Sequence, residues 1–217
     1  MKVDETAVWE PVQPEVTKGR EVEPVGGEEL FIGAVILAIA VAFFQGGKLS
    51  NFERFFLERV WAIITSFGIQ FLISYAEGMG WAGAGGIPFT AAVSLHLFSY
   101  LLLFYALWAN RSLRGMKPIL LGTALNFAVI AANGRMPISE KGLRFIGLEG
   151  YVENVLAPDL GLRYVLLSSK TRLAFLGDIF VLPPPYPRPA VFSIGDVLIV
   201  LGLFILVQHV MRSGKPA

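Results

Sequence analysis

The chain has no cysteine. That excludes disulfides, thiolate metal sites, cysteine-held iron–sulfur clusters and covalently attached c-type haem. Charge is scarce too: Asp, Glu, Lys and Arg make up 16% of the 217 residues and sum to +1, which offers nothing to a nucleic-acid backbone. There are two histidines, and no nucleophile–histidine pair, metal-ligand cluster or phosphate loop. What remains is apolar. Hydrophobic residues reach 54% and mean hydropathy +0.61, too high for a soluble domain of this size and suited to a multi-span membrane protein.

A helical crossing takes about 20 mostly apolar residues, fewer where flanking side chains snorkel. Five stretches qualify: Leu30 to Phe44, Trp61 to Ala76, Ile87 to Ala109, Met116 to Ala132 and Ser193 to Met211. The expected fold is therefore an all-α membrane protein of five transmembrane helices, with a long structured extracytoplasmic loop, 133–192, between helices 4 and 5. Lys48, Arg54, Arg59, Arg111, Arg114, Lys117, Arg212 and Lys215 all fall on one side of these spans. Positive residues near span ends stay cytoplasmic, which puts the C-terminus inside and the N-terminus and long loop outside.

Four zones follow. Residues 1–29 are acidic and carry prolines, 30–132 hold the first four spans with an inner linker at 46–59, 133–192 form the outer loop, and 193–217 hold the last span and tail. The acidic zone does not look like a signal peptide, so the first span reads as a retained anchor. Alone, residues 1–29 would be disordered; a neighbouring subunit would order them, with Val8 and Trp9 as anchors. In the inner linker Leu49, Phe52, Phe55, Phe56 and Arg59 fall near helical spacing, which predicts an amphipathic helix on the membrane surface.

Polar residues inside the spans are few: Gln70, Ser94, His96 and Asn126. Such groups ordinarily bond one another or the backbone as interhelical glue, contributing about 0.6 to 2 kcal/mol per contact. His96 is the one residue through which haem or a pigment could bind, but a bis-histidine site needs a second histidine at its depth, and His209 sits near the other end of its span. No cofactor is expected. The spans hold no mid-membrane acid or base of the kind that proton pumps use, and no repeat of the kind that builds alternating-access carriers.

Backbone-constraining residues gather in the loop. Asn133-Gly134 suits a helix C-cap with positive φ, Pro137 blocks continuation, and Arg135 stands at the interface. Residues 143–156 predict short surface helices, and Tyr164 to Leu167 an extended piece. Thr171 to Leu182 is apolar but too short to span, so it packs on the bundle or dips into the interface. Pro183 to Pro189 predicts a rigid polyproline II strut, after which Ser193 is a natural N-cap and Asp196 suits the positive helix terminus.

These pieces in order, Gly46-Gly47-Lys48-Leu49-Ser50-Asn51, Asn133-Gly134-Arg135-Met136-Pro137, Thr171-Arg172-Leu173 with Phe175-Leu176-Gly177-Asp178, the proline run with Tyr186, and Ser193-Ile194-Gly195-Asp196, resemble a family of uncharacterised bacterial multi-pass integral membrane proteins. The resemblance covers about Leu30 to Met211. It implies a bacterial membrane location and no assigned activity. The acidic extension lies outside the pattern, and Gly134 stands where the family often has two glycines.

The sequence assigns no catalytic residue. Chemistry at the outer face would have to use Arg135, Asp178 and Asp196, with Tyr186 and Ser193 nearby, as a clamp and acid–base pair on a lipid head group or prenyl phosphate. The favoured alternative is structural: Arg135 pairs with Asp178 or Asp196, Asp196 caps its helix, and Asn133, Gly134, Pro137, Gly177 and Ser193 set the loop's shape. On that reading the protein is an accessory subunit of a larger membrane complex. Its partners are lipids and other subunits, met through residues 1–29 and the helix faces.

Overall fold

The computed structural model describes residues 28–79, 81, 86–148, 150, 152, 161–183, 186 and 189–213. Val8, Trp9 and the proposed ordering of the acidic zone lie outside them. The long helices are α1 (Glu28–Phe44), α2 (Val60–Gly78), α3 (Phe89–Ala109), α4 (Met116–Asn133) and, after the loop and the short helix α5 (Glu140–Phe145), α6 (Ile194–Ser213). Four of them, α2, α3, α4 and α6, are long and apolar enough to cross a membrane. The apolar part of α1, Leu30–Phe44, is shorter. At 1.5 Å per residue it reaches about 22 Å, against a hydrocarbon core of about 30 Å. The expectation of five spans thus reduces to four helices of crossing length plus a shorter one.

The helices pack in a row: α2 on α3, α3 on α4, α4 on α6, and α6 on α1. Small residues set the closest joint. A Cβ on Gly115 or Gly122 of α4 would strike the Gly202 or Gly195 carbonyl oxygen of α6, so two glycine rungs let antiparallel backbones touch. The α1–α6 joint is similar in kind: Ala38 and Ala42 are fully buried against Val207 and Met211, and Gln208 Nε2 donates to the Ala38 carbonyl at 2.6 Å. Between α2 and α3, Gln70 Nε2 donates to Ser99 Oγ at 3.2 Å, the interhelical polar contact expected of an intramembrane glutamine.

The inner linker departs from the amphipathic helix. It is a six-residue 3₁₀ turn, Leu49–Arg54, with no buried residue, followed by extended Phe55. Long-range anchors override the local periodicity. Lys48 N–H and Asn51 Nδ2 both donate to the Met211 carbonyl at the end of α6, while Asn110 accepts from Glu58 N–H and donates to Glu58 C=O, both at 2.9 Å. The chain must run from the end of α6 to the end of α3, and a continuous helix cannot serve both.

The loop is not purely helical. Strands β1 (Met136–Ile138) and β2 (Tyr164–Leu166) pair in parallel, with Met136 opposite Tyr164; β3 (Phe180–Leu182) and β4 (Ala190–Phe192) pair antiparallel, with Leu182 opposite Ala190. Together with α5 they enclose a separate small core of Ile138, Leu143, Ile146, Val152 and Val191. Leu143 and Val152 are interior residues of this core; of the short surface helices expected at 143–156, α5 supplies the start with Arg144 and Phe145 exposed, and residues 149, 151 and 153–156 lie outside the described residues. The all-α expectation becomes a mostly helical chain with a small α/β cap.

Most of the proline run for which a polyproline II strut was expected, 184–185 and 187–188, lies outside the described residues. Of its described surroundings, Leu182 and Ala190 are partners across β3 and β4, and Tyr186 N–H donates to the Pro183 carbonyl at 3.3 Å. The Tyr186 side chain lies with its hydroxyl against Gly33 of α1.

Candidate functional site

The cap meets the bundle over the first turn of α6. Ser193 Oγ accepts from Asp196 N–H at 3.0 Å while Asp196 Oδ2 accepts from Ser193 N–H at 2.9 Å, a reciprocal capping arrangement that satisfies donors the helix start would leave bare. Asn126, from the middle of α4, completes it: its Nδ2 donates to Asp196 Oδ1 at 2.8 Å and its Oδ1 lies 2.9 Å from Ser193 Oγ. Ser193 is fully buried, and Asp196 and Asn126 are 6% and 7% exposed. Gly195 is required beside them, because a Cβ there would collide with Asn126 Oδ1.

Asp178 approaches from the cap. Its N–H donates to the Pro137 carbonyl at 2.8 Å and its carbonyl accepts from Ser139 N–H at 2.9 Å, so it lengthens the free edge of β1. Gly177 allows this, since a Cβ would come within 2.6 Å of the Pro137 oxygen. The Asp178 side chain is 2% exposed, and its Oδ1 has no hydrogen-bond partner. Burial first, and then repulsion from the Asp196 carboxylate, push the Asp178 carboxyl well above the usual aspartate range. Tyr100, buried on α3, lies within electrostatic range of both carboxyls.

Arg135 is elsewhere. Its Nη1 donates to the Gly161 carbonyl at 2.6 Å, its guanidinium lies 4.7 Å from the Phe89 ring centre, and its Nε is buried without a partner. Burial lowers its pKa, with the Glu77 carboxylate acting in the opposite sense. Among the described residues no ion pair joins Arg135 to Asp178 or Asp196, so the expected anchor is corrected. The carboxylate partner at this end is Glu77 of α2. It holds Arg163 Nε at 3.0 Å and Leu162 N–H at 2.9 Å. That contact spans more than eighty residues of sequence and has no local signal. Asn133 is likewise bidentate, its Oδ1 accepting from Arg172 N–H and its Nδ2 donating to Arg172 C=O, while Gly134 closes α4 at φ +77°.

The suggested clamp and acid–base pair therefore come apart. Asp196 and Ser193 meet at the start of α6, Asp178 lies within electrostatic range of Asp196, and Arg135 and Tyr186 have other partners. Both carboxyls are sealed from solvent, where a head group cannot reach them. His96 is buried on α3 with its ring 5.5 Å from that of Tyr100. His209 lies at the opposite end of the bundle on α6, and among the described residues no group of three or more His, Cys, Asp or Glu is placed to hold a metal ion.

Residues 54–208 match a family of unknown function, DUF5317. The chain belongs to this family. The match begins at the end of the 3₁₀ turn and runs through most of α6, so it takes in the four crossing-length helices and the cap. An uncharacterized protein of Thermotoga maritima is 29% identical over 108 residues, which cover 49% of this chain and 58% of that relative. The chain thus spans a little over half the length of the curated relative it matches. No solved structure matches.

The buried Asp178 gives a prediction for the family's shared core. Its folded pKa lies above the unfolded value of 3.8. Its contribution to stability is therefore complete below that pH and is lost as pH rises through the elevated folded value, by at most about 1.4 kcal/mol per pH unit. Asp178→Asn, neutral at every pH, should flatten that slope and melt above wild type at pH 8 in detergent. Identical pH slopes for the two proteins would show that Asp178 carries its charge in the fold.

Proposed function

We propose that the protein is an accessory, non-catalytic subunit of a larger assembly in a bacterial cytoplasmic membrane. The observation that carries this reading is the open row of helices. Helix association in lipid relies on van der Waals packing and interhelical hydrogen bonds, and a single layer offers little of either to its edges. Only 22% of the α2 span is buried, against 39% for α4 and α6. Trp61, Ile64, Phe67, Phe71 and Tyr75 form an exposed stripe along α2 at helical spacing. A second subunit laid on this stripe would give α2 the second neighbour that α3, α4 and α6 each have. The sealed carboxyls and the diverted Arg135 are consistent with a part whose polar groups hold shape.

A photoreactive residue in place of Phe67 should yield a discrete protein adduct in native membranes. Adducts with lipid alone, together with a lone monomer after mild-detergent purification, would overturn the subunit reading. Orientation is proposed from charge. Lys48, Arg59, Arg111, Arg114 and Lys117 cluster at the bundle end away from the cap. Because the chain has no native cysteine, single cysteines can report it. Ser168→Cys in the cap should react with an impermeant thiol reagent in intact cells and Ser50→Cys should not; the reverse pattern would invert the topology.

A further inference from the structure

Phe104, Tyr105 and Trp108 of α3 and Leu120 and Ala124 of α4 line an apolar groove of about 450 Å³. It lies on the outside of the helix row, where hydrocarbon would be. The small side chain of Ala124 leaves space for the slot. Its walls continue into cations. On α3 the stripe of Phe104 and Trp108 runs on to Arg111, and on α4 Lys117 lies one turn before Leu120 and two turns before Ala124, on the same face. Helical side chains lean toward the N-terminus, which carries the Lys117 ammonium to the end of the groove away from the cap.

The two arginines are held in place. The Arg111 guanidinium lies 4.9 Å from the Trp108 ring centre and donates to the Trp108 carbonyl at 2.8 Å. Arg59, at the start of α2, lies 4.3 Å from the Tyr105 ring centre and bonds the Tyr105 hydroxyl. It does so from a left-handed backbone, φ 56°, that disfavours a side-chain-bearing residue. Arg59, Arg111 and Lys117 have no carboxylate ion pair among the described residues; exposed Glu58 is the adjoining acid, and its backbone is tied to Asn110. Arg59 and Arg111 thus sit on two aromatic rings that line the slot, and Lys117 precedes its α4 wall by one turn; from Phe104 to Arg111 the stripe is about 10 Å long, or two thirds of one leaflet's hydrocarbon depth.

We propose that this groove binds one acyl chain of an anionic glycerophospholipid, with the lipid phosphate held among Arg59, Arg111 and Lys117. Charge complementarity selects the occupant. A zwitterionic lipid would fill the slot but bring its own cation to the arginines, and an apolar partner helix would leave the three cations unanswered. Basic residues beside an intramembrane groove are the usual means of recognising such head groups. The site stands apart from the subunit reading and survives its failure.

Native mass spectrometry of the full chain, carrying either phosphatidylglycerol or phosphatidylcholine, tests it. Wild type should retain phosphatidylglycerol preferentially. R111A/K117A should lower that retention by about fivefold per cation removed, leaving phosphatidylcholine unchanged. Ala124→Phe, which fills the slot and spares the cations, should lose both lipids. Inorganic phosphate, which has no chain, should not raise the melting temperature of lipid-free protein, whereas phosphatidylglycerol should. Equal retention of the two lipids by wild type would overturn the proposal, as would unchanged phosphatidylglycerol retention in a variant that melts like wild type without lipid.

Discussion

Replacing Asp196 by alanine should destabilise the protein by about 3 to 5 kcal/mol, because it strips the acceptor from three buried donors at once. Those donors are Asn126 Nδ2, Ser193 N–H and the Ser193 hydroxyl. An unsatisfied buried donor costs about 1 to 3 kcal/mol, and loss of a helix cap adds about 0.5 to 2. Some of this is recovered, since the Ser193 hydroxyl can turn wholly to Asn126 Oδ1, 2.9 Å away. Water cannot recover the rest at a site where Ser193 is fully buried. Asp196→Asn keeps one acceptor oxygen and should lose less than half as much. Asn126→Ala removes a different part of the same network, so the double variant should fall short of the sum of the singles by about 1 to 3 kcal/mol. Unfolding by SDS in mixed micelles measures wild type and the four variants. An Asp196→Ala midpoint equal to wild type, or strict additivity with Asn126→Ala, would mean that the three residues do not act as one unit.

This network shows where sequence was informative and where it was not. Ser193 and Asp196 are three residues apart, so the cap could be read from local spacing. Asn133-Gly134 likewise announced its own left-handed terminus. The crossing helices were legible because burial in lipid demands long apolar runs, which composition shows directly. Asn126 was visible as a polar residue in a span, but its partners lie 67 and 70 residues away and nothing local names them. The same reason hid Glu77 behind Arg163, and gave Arg135 a carboxylate partner where it has a carbonyl and a phenyl ring. One misreading has a plain physical cause. Leu49 to Arg59 has helical periodicity, yet the Met211 and Asn110 anchors override it. Local propensity is worth fractions of a kcal/mol per residue, less than a set of buried long-range contacts.

The glycine rungs were open to reading and carry the other large effect. Gly115, the N-cap of α4, and Gly122 are seven residues apart, and Gly195 and Gly202 are seven apart on α6, so the pairs face each other across two turns of antiparallel helix. Gly202→Val should cost about 3 kcal/mol, the upper part of the range for overpacking. The reason is what the new Cβ would meet: the Ile119 backbone nitrogen at 2.9 Å and the Gly115 carbonyl oxygen, neither of which can rotate away as a side chain could. Relief requires α4 and α6 to separate, and α6 is the helix to which α1 is also attached. Gly68 on α2 is the control, since a Cβ there meets nothing within 4 Å. Gly68→Ala should be neutral or stabilising by up to about 1 kcal/mol, from the lost backbone freedom of glycine. Gly202 is also two helical turns from the Asn126–Ser193–Asp196 network, so its effect should add to that of Asp196→Ala within about 0.5 kcal/mol. If Gly202→Val and Gly68→Ala shifted the SDS unfolding midpoint equally, close backbone contact would not be what joins α4 to α6.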